Sequence, residues 1–380
     1  MTDAPLTFRE LIAPVTPEAF FAEHHGRRFL HVPGDAARAA RVMGWDDFSG
    51  LLDMTALWSS TSMKLVLDGR TLEAGEYCSP GRNRDGHAID AADLERVAEH
   101  MAEGATVVLD LIETLTPGLR AATGALENAT GALISCNAYC SRQAHPAFPA
   151  HFDTMDVYAL HIAGEKTWRI YEGRFEHPIQ QAGHDYPSFP QEHHDEAKGA
   201  LATEVTLRPG DLLYLPRGVY HEALASSDVC LHLSFGTTEA TGLDFIRNVA
   251  GDLAALAEFR QVLPRFDDEA AHEAHLTRLA GRLHEILTDP HAAAEMRDDQ
   301  RRRAFANLAG FRLPAAELGP RFRVIGDART SGIDQAVADW LNQRDQFTWT
   351  DLVAEFPERG EEGLAQDIET LSEAGAVEPA

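Results

Sequence analysis

The spacing of hydrophobic and polar positions changes character twice along this chain, and the changes divide it into three parts. Over residues 1–130 the pattern is mixed. Thr16-Pro17-Glu18 reads as a helix start, with an N-cap Thr, Pro at the first helical position and an acid behind it. Trp45-Asp46-Asp47-Phe48 opens a second helix over 45–54. Leu65-Val66-Leu67-Asp68-Gly69 predicts a strand running into a turn. Ala91 to Ala102 predicts an amphipathic helix with Leu94, Val97 and Met101 on one side, and Thr106-Val107-Val108-Leu109 a short buried strand.

From about 132 to 237 short runs of β-branched, aromatic and alternating residues take over. They predict strands at Leu133–Ser141, Asp156–Ala163, Lys166–Tyr171, Thr203–Leu207, Asp211–Leu215, Val219–Leu224 and Val229–Gly236, with turns at Gly164-Glu165 and Pro209-Gly210. Short strands at close spacing, without helices between them, predict an antiparallel sandwich or barrel.

From 241 the period is helical. Phe245, Ile246, Val249, Leu253, Leu256 and Phe259 form one stripe; Leu276, Leu279, Leu283, Ile286 and Leu287 form another, which Pro290 ends. Such stripes ordinarily pack into their own core, but two long ones after a complete barrel also suit a dimer interface. From about 318, helices near 333–343, 350–356 and 361–374 resemble a winged-helix module. The third, which would read a DNA groove, carries Glu361, Glu362, Asp367, Glu369 and Glu373 and neither Lys nor Arg. Phosphate contacts need positive charge, so direct nucleic-acid binding by this helix is not expected.

Composition sharpens the choice of partner. The 380 residues carry a formal charge of -27, which repels nucleic acid and anionic membranes and attracts a basic protein or peptide. No apolar run approaches the roughly 18 residues that cross a bilayer. Met1-Thr2-Asp3-Ala4-Pro5 lacks the basic region and apolar core of a signal peptide, so the expected location is the cytoplasm. Cys78, Cys136, Cys140 and Cys230 form no CxxC pair and read as buried thiols.

Chemistry concentrates in the β-rich stretch. In His151-Phe152-Asp153 the first and third side chains share one face of a strand. His221, in Tyr214-Leu-Pro-Arg-Gly-Val-Tyr-His221, comes from a later strand of the same region. Two imidazoles and one carboxylate leave open positions on an octahedral ion, the arrangement used by non-haem Fe(II) oxygenases. Lys166, fifteen residues after His151, would return to the barrel and share an inward face with Trp168. An inward lysine is costly without an anion, and the distal carboxylate of 2-oxoglutarate is a natural partner. Asn137 and Tyr139 alternate on an earlier strand and offer an amide and a phenol to the same cosubstrate.

Together these segments, Asn137-Ala-Tyr139, His151-Phe-Asp153, Gly164-Glu-Lys166-Thr-Trp168-Arg-Ile-Tyr171 and Pro209-Gly-Asp211 through His221, resemble the JmjC-domain ribosomal oxygenases. The resemblance implies an α+β chain built on a double-stranded β-helix of jelly-roll (cupin, JmjC) type. It implies a catalytic domain over 1–240 with its barrel core at about 132–237, a helical dimerisation region over 241–315 and a winged-helix-like domain over 316–380. It also implies Fe(II), 2-oxoglutarate and O₂ as cofactor and cosubstrates, and a homodimer hydroxylating a side chain of a basic, ribosomal protein. The metal ligands fall on His151, Asp153 and His221, and the cosubstrate residues on Lys166, Asn137, Tyr139 and Ser234. His232 and Ser234 are expected to face inward; His145 and His161 are expected to be structural or loop residues. One departure is the link Ser141-Arg-Gln-Ala-His145-Pro-Ala-Phe148, which replaces a Pro-rich segment and is expected to border the substrate. Two alternatives stay open: a 2-oxoglutarate oxygenase acting on a small molecule or another peptide, and a non-catalytic metal-binding cupin.

Overall fold

The computed structural model describes residues 6–142, 146–180, 189–225, 227–304, 320–329 and 332–379. The chain divides into two compact units, Met1–Ala309 and Gly310–Ala380.

Twelve strands build the two main sheets of the first unit: β1 Leu30–Val32, β2 Met63–Leu67, β3 Arg70–Thr71, β4 Thr106–Leu109, β5 Leu133–Arg142, β6 Pro146–His151, β7 Asp156–Ala163, β8 Lys166–Arg174, β9 Leu201–Leu207, β10 Leu212–Leu215, β11 Val219–Ala225 and β12 Val229–Thr238. One sheet runs β1-β10-β7-β12-β5-β4-β2-β3 and the other β9-β8-β11-β6, with antiparallel neighbours throughout. Strands β5 to β8 and β9 to β12 alternate between the sheets, with β8 and β9 paired in the small one, in the manner of a double-stranded β-helix.

Period-2 patterning explains why the sheets close on each other. Val157, Ala159, Leu213 and Leu215 of the large sheet face Trp168, Ile170, Leu207 and Val219 of the small one in a shared inner core. The alternate residues Ile134, Cys136, Ala138, Tyr158, Leu160, Leu231 and Phe235 point the other way. They pack under Phe20, Trp58, Leu119 and Leu126 from the helical cover. All four cysteines are buried and none is in a disulfide, as expected of small apolar fillers.

Most expected elements are present, with informative differences. Thr16 caps the helix Pro17–Glu23 through its hydroxyl, and Trp45–Leu52 is helical. The helix expected from Ala91 starts at Leu94, because Ala88–Ala92 pairs with Cys78–Arg82 in a separate hairpin. The first long stripe is interrupted: the helix Gly242–Leu253 ends before Phe259, which lies in a 3₁₀ turn. Neither long helix packs as core. Gly242–Leu253 buries no residue, and Glu269–Leu287 buries only His275.

In the second unit the helices Gln335–Leu341, Trp349–Glu355 and Gly360–Glu373 bury Val337, Leu341, Leu352, Leu364 and Leu371 together. The sequence reading lacked its three-stranded sheet, in which Arg321–Val324 lies between Gln346–Thr348 and Val377–Pro379.

Candidate metal centre

Strands β6 and β11 are antiparallel neighbours with His151 opposite His221, so the ladder itself brings the two imidazoles together. Their ring centroids are 4.6 Å apart. Asp153 lies just past the end of β6. Its carbonyl accepts from Gly218 N at 2.9 Å, tying it to the turn that leads into β11. That turn is pinned from below: Asp156 accepts from the Tyr214 hydroxyl and, at 2.9 Å, from Arg217 N. Asp153 Oδ2 lies 3.5 Å from His221 Nε2, and one donor atom from each of the three residues falls within 4.8 Å of the others.

Both imidazoles are oriented in the same way. His151 Nδ1 is 2.8 Å from Pro149 O and His221 Nδ1 is 3.0 Å from Val219 O. A carbonyl can only accept, so Nδ1 carries the hydrogen in each ring and the Nε2 lone pair is free for a metal. Burial, then the neighbouring His151, lowers the His221 pKa to about 4, which keeps this ring in the neutral, ligating form. Two imidazole nitrogens and one carboxylate oxygen suit a ferrous ion with positions left over. His221 is buried, while His151 and Asp153 are half-exposed, so the group opens outward on their side.

Lys166 lies deeper in the barrel. On β8, Ile170 is level with His221, Trp168 with Ala223 and Lys166 with Ala225. The lysine is 3% exposed, and no carboxylate among the described residues lies within ion-pair distance of its Nζ. The rings of Tyr139 and Trp168 lie 6.0 and 5.8 Å from that nitrogen. Burial lowers its pKa, the mark of an ammonium that lacks an anion. Lys166 and Trp168 therefore share the inward face that the sequence predicts.

Asn137 and Tyr139 occupy inward positions of β5, opposite Ser234 and His232 of β12. Tyr139 stacks on His232 at 4.8 Å and 14°. Burial and then the Asp153 carboxylate push the phenol's pKa upward. Asn137 is only partly available to a ligand, because its Oδ1 accepts from Leu111 N at 3.0 Å. Leu111 is 66% exposed and adopts φ 59, a left-handed conformation uncommon outside glycine. Nothing in the sequence signals this lip. His161, expected to be structural or in a loop, is a buried strand residue facing inward opposite His232. Its Nε2 donates to Gly164 O at 2.9 Å, and burial lowers its pKa to about 4. His145 lies outside the described residues. A cavity of about 100 Å³ opens at the rim, lined by residues including Thr154, Met155, Arg217, Glu239 and Asp244.

A double-stranded β-helix carrying an inward His-x-Asp…His group defines the class: a jelly-roll barrel with a candidate facial metal centre. Residues 121–245 match the family model described as a JmjC domain, and the curated proteins this chain is similar to include ribosomal oxygenases. It is 26% identical over 287 residues to the bifunctional lysine-specific demethylase and histidyl-hydroxylase NO66 of Dictyostelium discoideum, covering 73% of this chain and 53% of that protein. It is 29% identical over 272 residues to ribosomal oxygenase 1 of Bos taurus, covering 68% of this chain and 38% of that one. The chain thus spans about half the length, or less, of these relatives. Among solved structures, the ribosomal oxygenase YcfD from Escherichia coli in complex with cobalt and 2-oxoglutarate is 15% identical with a TM-score of 0.49, over 96% of this chain and 98% of that one.

Proposed function

We propose that this protein is an Fe(II)- and 2-oxoglutarate-dependent oxygenase that hydroxylates a side chain of a basic protein, with ribosomal proteins as the substrate class. The observation that carries the reading is the pairing of the His151, Asp153 and His221 group with a buried, anion-free Lys166 on the adjacent strand. A bound ferrous ion would supply O₂ activation, coupling decarboxylation of 2-oxoglutarate to succinate and CO₂ with insertion of one oxygen atom into a substrate C–H bond.

The chain's own residues do the rest. His151 Nε2, His221 Nε2 and the Asp153 carboxylate hold the ion. Lys166 neutralises the distal carboxylate of the cosubstrate, while Tyr139, the Asn137 amide nitrogen and Ser234 line its channel. The barrel walls exclude water. A charge of -27 favours a basic partner, and relatives named ribosomal oxygenase support the substrate class.

The exposed Leu243, Ile246 and Leu276 support the 241–315 segment as a homodimer interface beside a 1–240 catalytic domain. Residues 316–380 are read as a winged-helix-like module whose acidic last helix avoids nucleic acid. No helix among the described residues is long and apolar enough to cross a membrane, and the cytoplasm is the proposed location. Succinate formation from 2-oxoglutarate, followed by NMR with added Fe(II), tests the reading. His151→Ala should abolish turnover, and normal turnover in that variant would refute the ligand assignment. Ribosomal proteins from cells with and without the gene should differ by one oxygen on the substrate peptide.

A further inference from the structure

Trp168 presents a polar atom that nothing in the barrel satisfies. It is 5% exposed, and its Nε1 has no hydrogen-bond partner among the described residues. An indole N–H can only donate, and a buried donor left unpaired keeps its desolvation cost uncompensated. Native interiors rarely keep such a group unless a ligand or ordered water completes it.

Its position says what could complete it. The ring stacks on His221 at 5.6 Å and 29°, and lies 5.8 Å from the Lys166 ammonium. In the ladder Trp168 stands one inward level below His221 and one above Lys166. The indole thus walls the space between the metal group and the buried cation. The acceptor that Lys166 lacks and the acceptor that Trp168 lacks can be the same carboxylate. Other inward groups do not compete for it equally. His161 Nδ1 is a lone pair, because Nε2 holds the hydrogen donated to Gly164 O. His232 is neutral, its pKa lowered by burial and by Lys166, so its single ring N–H can meet the carboxylate only as an uncharged donor.

We infer that the Trp168 indole N–H is a second donor, beside Lys166, for the distal carboxylate of the bound five-carbon diacid. The inference rests on the 2-oxoglutarate reading above. It makes Trp168 a cosubstrate-binding residue, where inward packing alone would make it a filler.

The test uses full-length protein with ¹⁵N-labelled tryptophan, loaded with Zn(II) as a diamagnetic ion. With five tryptophans in the chain, the Trp168 indole resonance is assigned from the Trp168→Phe variant. Adding 2-oxoglutarate should move that indole proton downfield, and pyruvate, which lacks the distal carboxylate, should leave it in place. Trp168→Phe keeps a ring over His221 and deletes the donor. By calorimetry it should weaken 2-oxoglutarate about ten-fold with pyruvate affinity unchanged. An unmoved indole resonance with wild-type affinity in the variant overturns the inference while leaving the 2-oxoglutarate reading intact. Absence of 2-oxoglutarate binding to the wild-type protein overturns both. Thermal unfolding of Trp168→Phe near the wild-type midpoint separates a lost donor from a lost fold.

Discussion

Replacing Lys166 with Met should push stability and ligand binding in opposite directions. The lysine is 3% exposed, the rings of Tyr139 and Trp168 lie about 6 Å from its Nζ, and no carboxylate among the described residues lies within ion-pair distance. Substituting an apolar side chain of similar length for a buried ion is often neutral or stabilising by about 1–4 kcal/mol. Lys166→Met should therefore unfold at an equal or higher temperature. Because burial lowers the folded-state pKa, the unfolded chain binds more protons between that lowered pKa and the ordinary lysine value. The penalty of the native lysine is then largest at low pH and fades as pH rises, and the variant's advantage should fade with it. Cosubstrate binding should move the other way. Truncating one partner of a buried charged pair costs about 2–5 kcal/mol, or roughly 30- to 4,000-fold in affinity. Calorimetric titration of 2-oxoglutarate into the metal-loaded variant, beside thermal unfolding across pH, reads both. A variant that is clearly less stable and binds 2-oxoglutarate normally would show that Lys166 is a structural residue.

Two further substitutions probe the scaffold. Glu127 is buried in the helix Pro117–Thr130, its Oε1 lacks a partner among the described residues, and burial and then Glu113 raise its pKa to about 7. The folded state thus holds a proton that the unfolded state releases between about pH 4.5 and 7, and wild-type stability should fall across that window. Glu127→Gln should raise the unfolding temperature at pH 8 and make no difference at pH 4, readable by calorimetry; an equal effect at both values would contradict a protonated Glu127. Gly164 joins β7 to β8 at φ 73, and a Cβ there would stand 1.8 Å from Val229 O. Gly164→Ala should destabilise by more than the roughly 1 kcal/mol of the left-handed conformation alone, visible as a lower urea midpoint. An unchanged midpoint would show that β12 can give way.

Much of this molecule is legible in its sequence because short β-branched and apolar runs bounded by turn residues mark strands buried on both faces. Strands β7 and β4 fall at the residues those runs predict, and β5, β8 and β12 begin where the runs place them. The sequence puts His151 and Asp153 together on a strand without bounding it, whereas the strand ends at His151 and Asp153 lies beyond it. Pro146 and Pro149 interrupt its pattern, and proline reads as a strand breaker. The structure resolves this by placing β6 at the edge of its sheet, where a missing N–H is tolerated. The helix Pro117–Thr130 also went unread. Its inner face relies on Ala122 and Ala125 between Leu119 and Leu126, a muted stripe, although Thr116 caps it and Gly131 ends it at φ 67. His151, the distal His and Lys166 could be placed because strand periodicity fixes which way a side chain points; Asp153, past the end of β6, is held instead by its carbonyl accepting from Gly218 N. The Leu111 amide on Asn137 and the indole on His221 could not, since they depend on distances between strands that one sequence does not encode.

The central claim, that His151 and His221 from two neighbouring strands and Asp153 just beyond the first form one ferrous site, is most directly tested by anaerobic Fe(II) titration of the full chain. Wild-type protein should take up one ion per chain, and His221→Ala, folded by circular dichroism, should retain none above background. Equal iron in the two proteins would contradict the assignment.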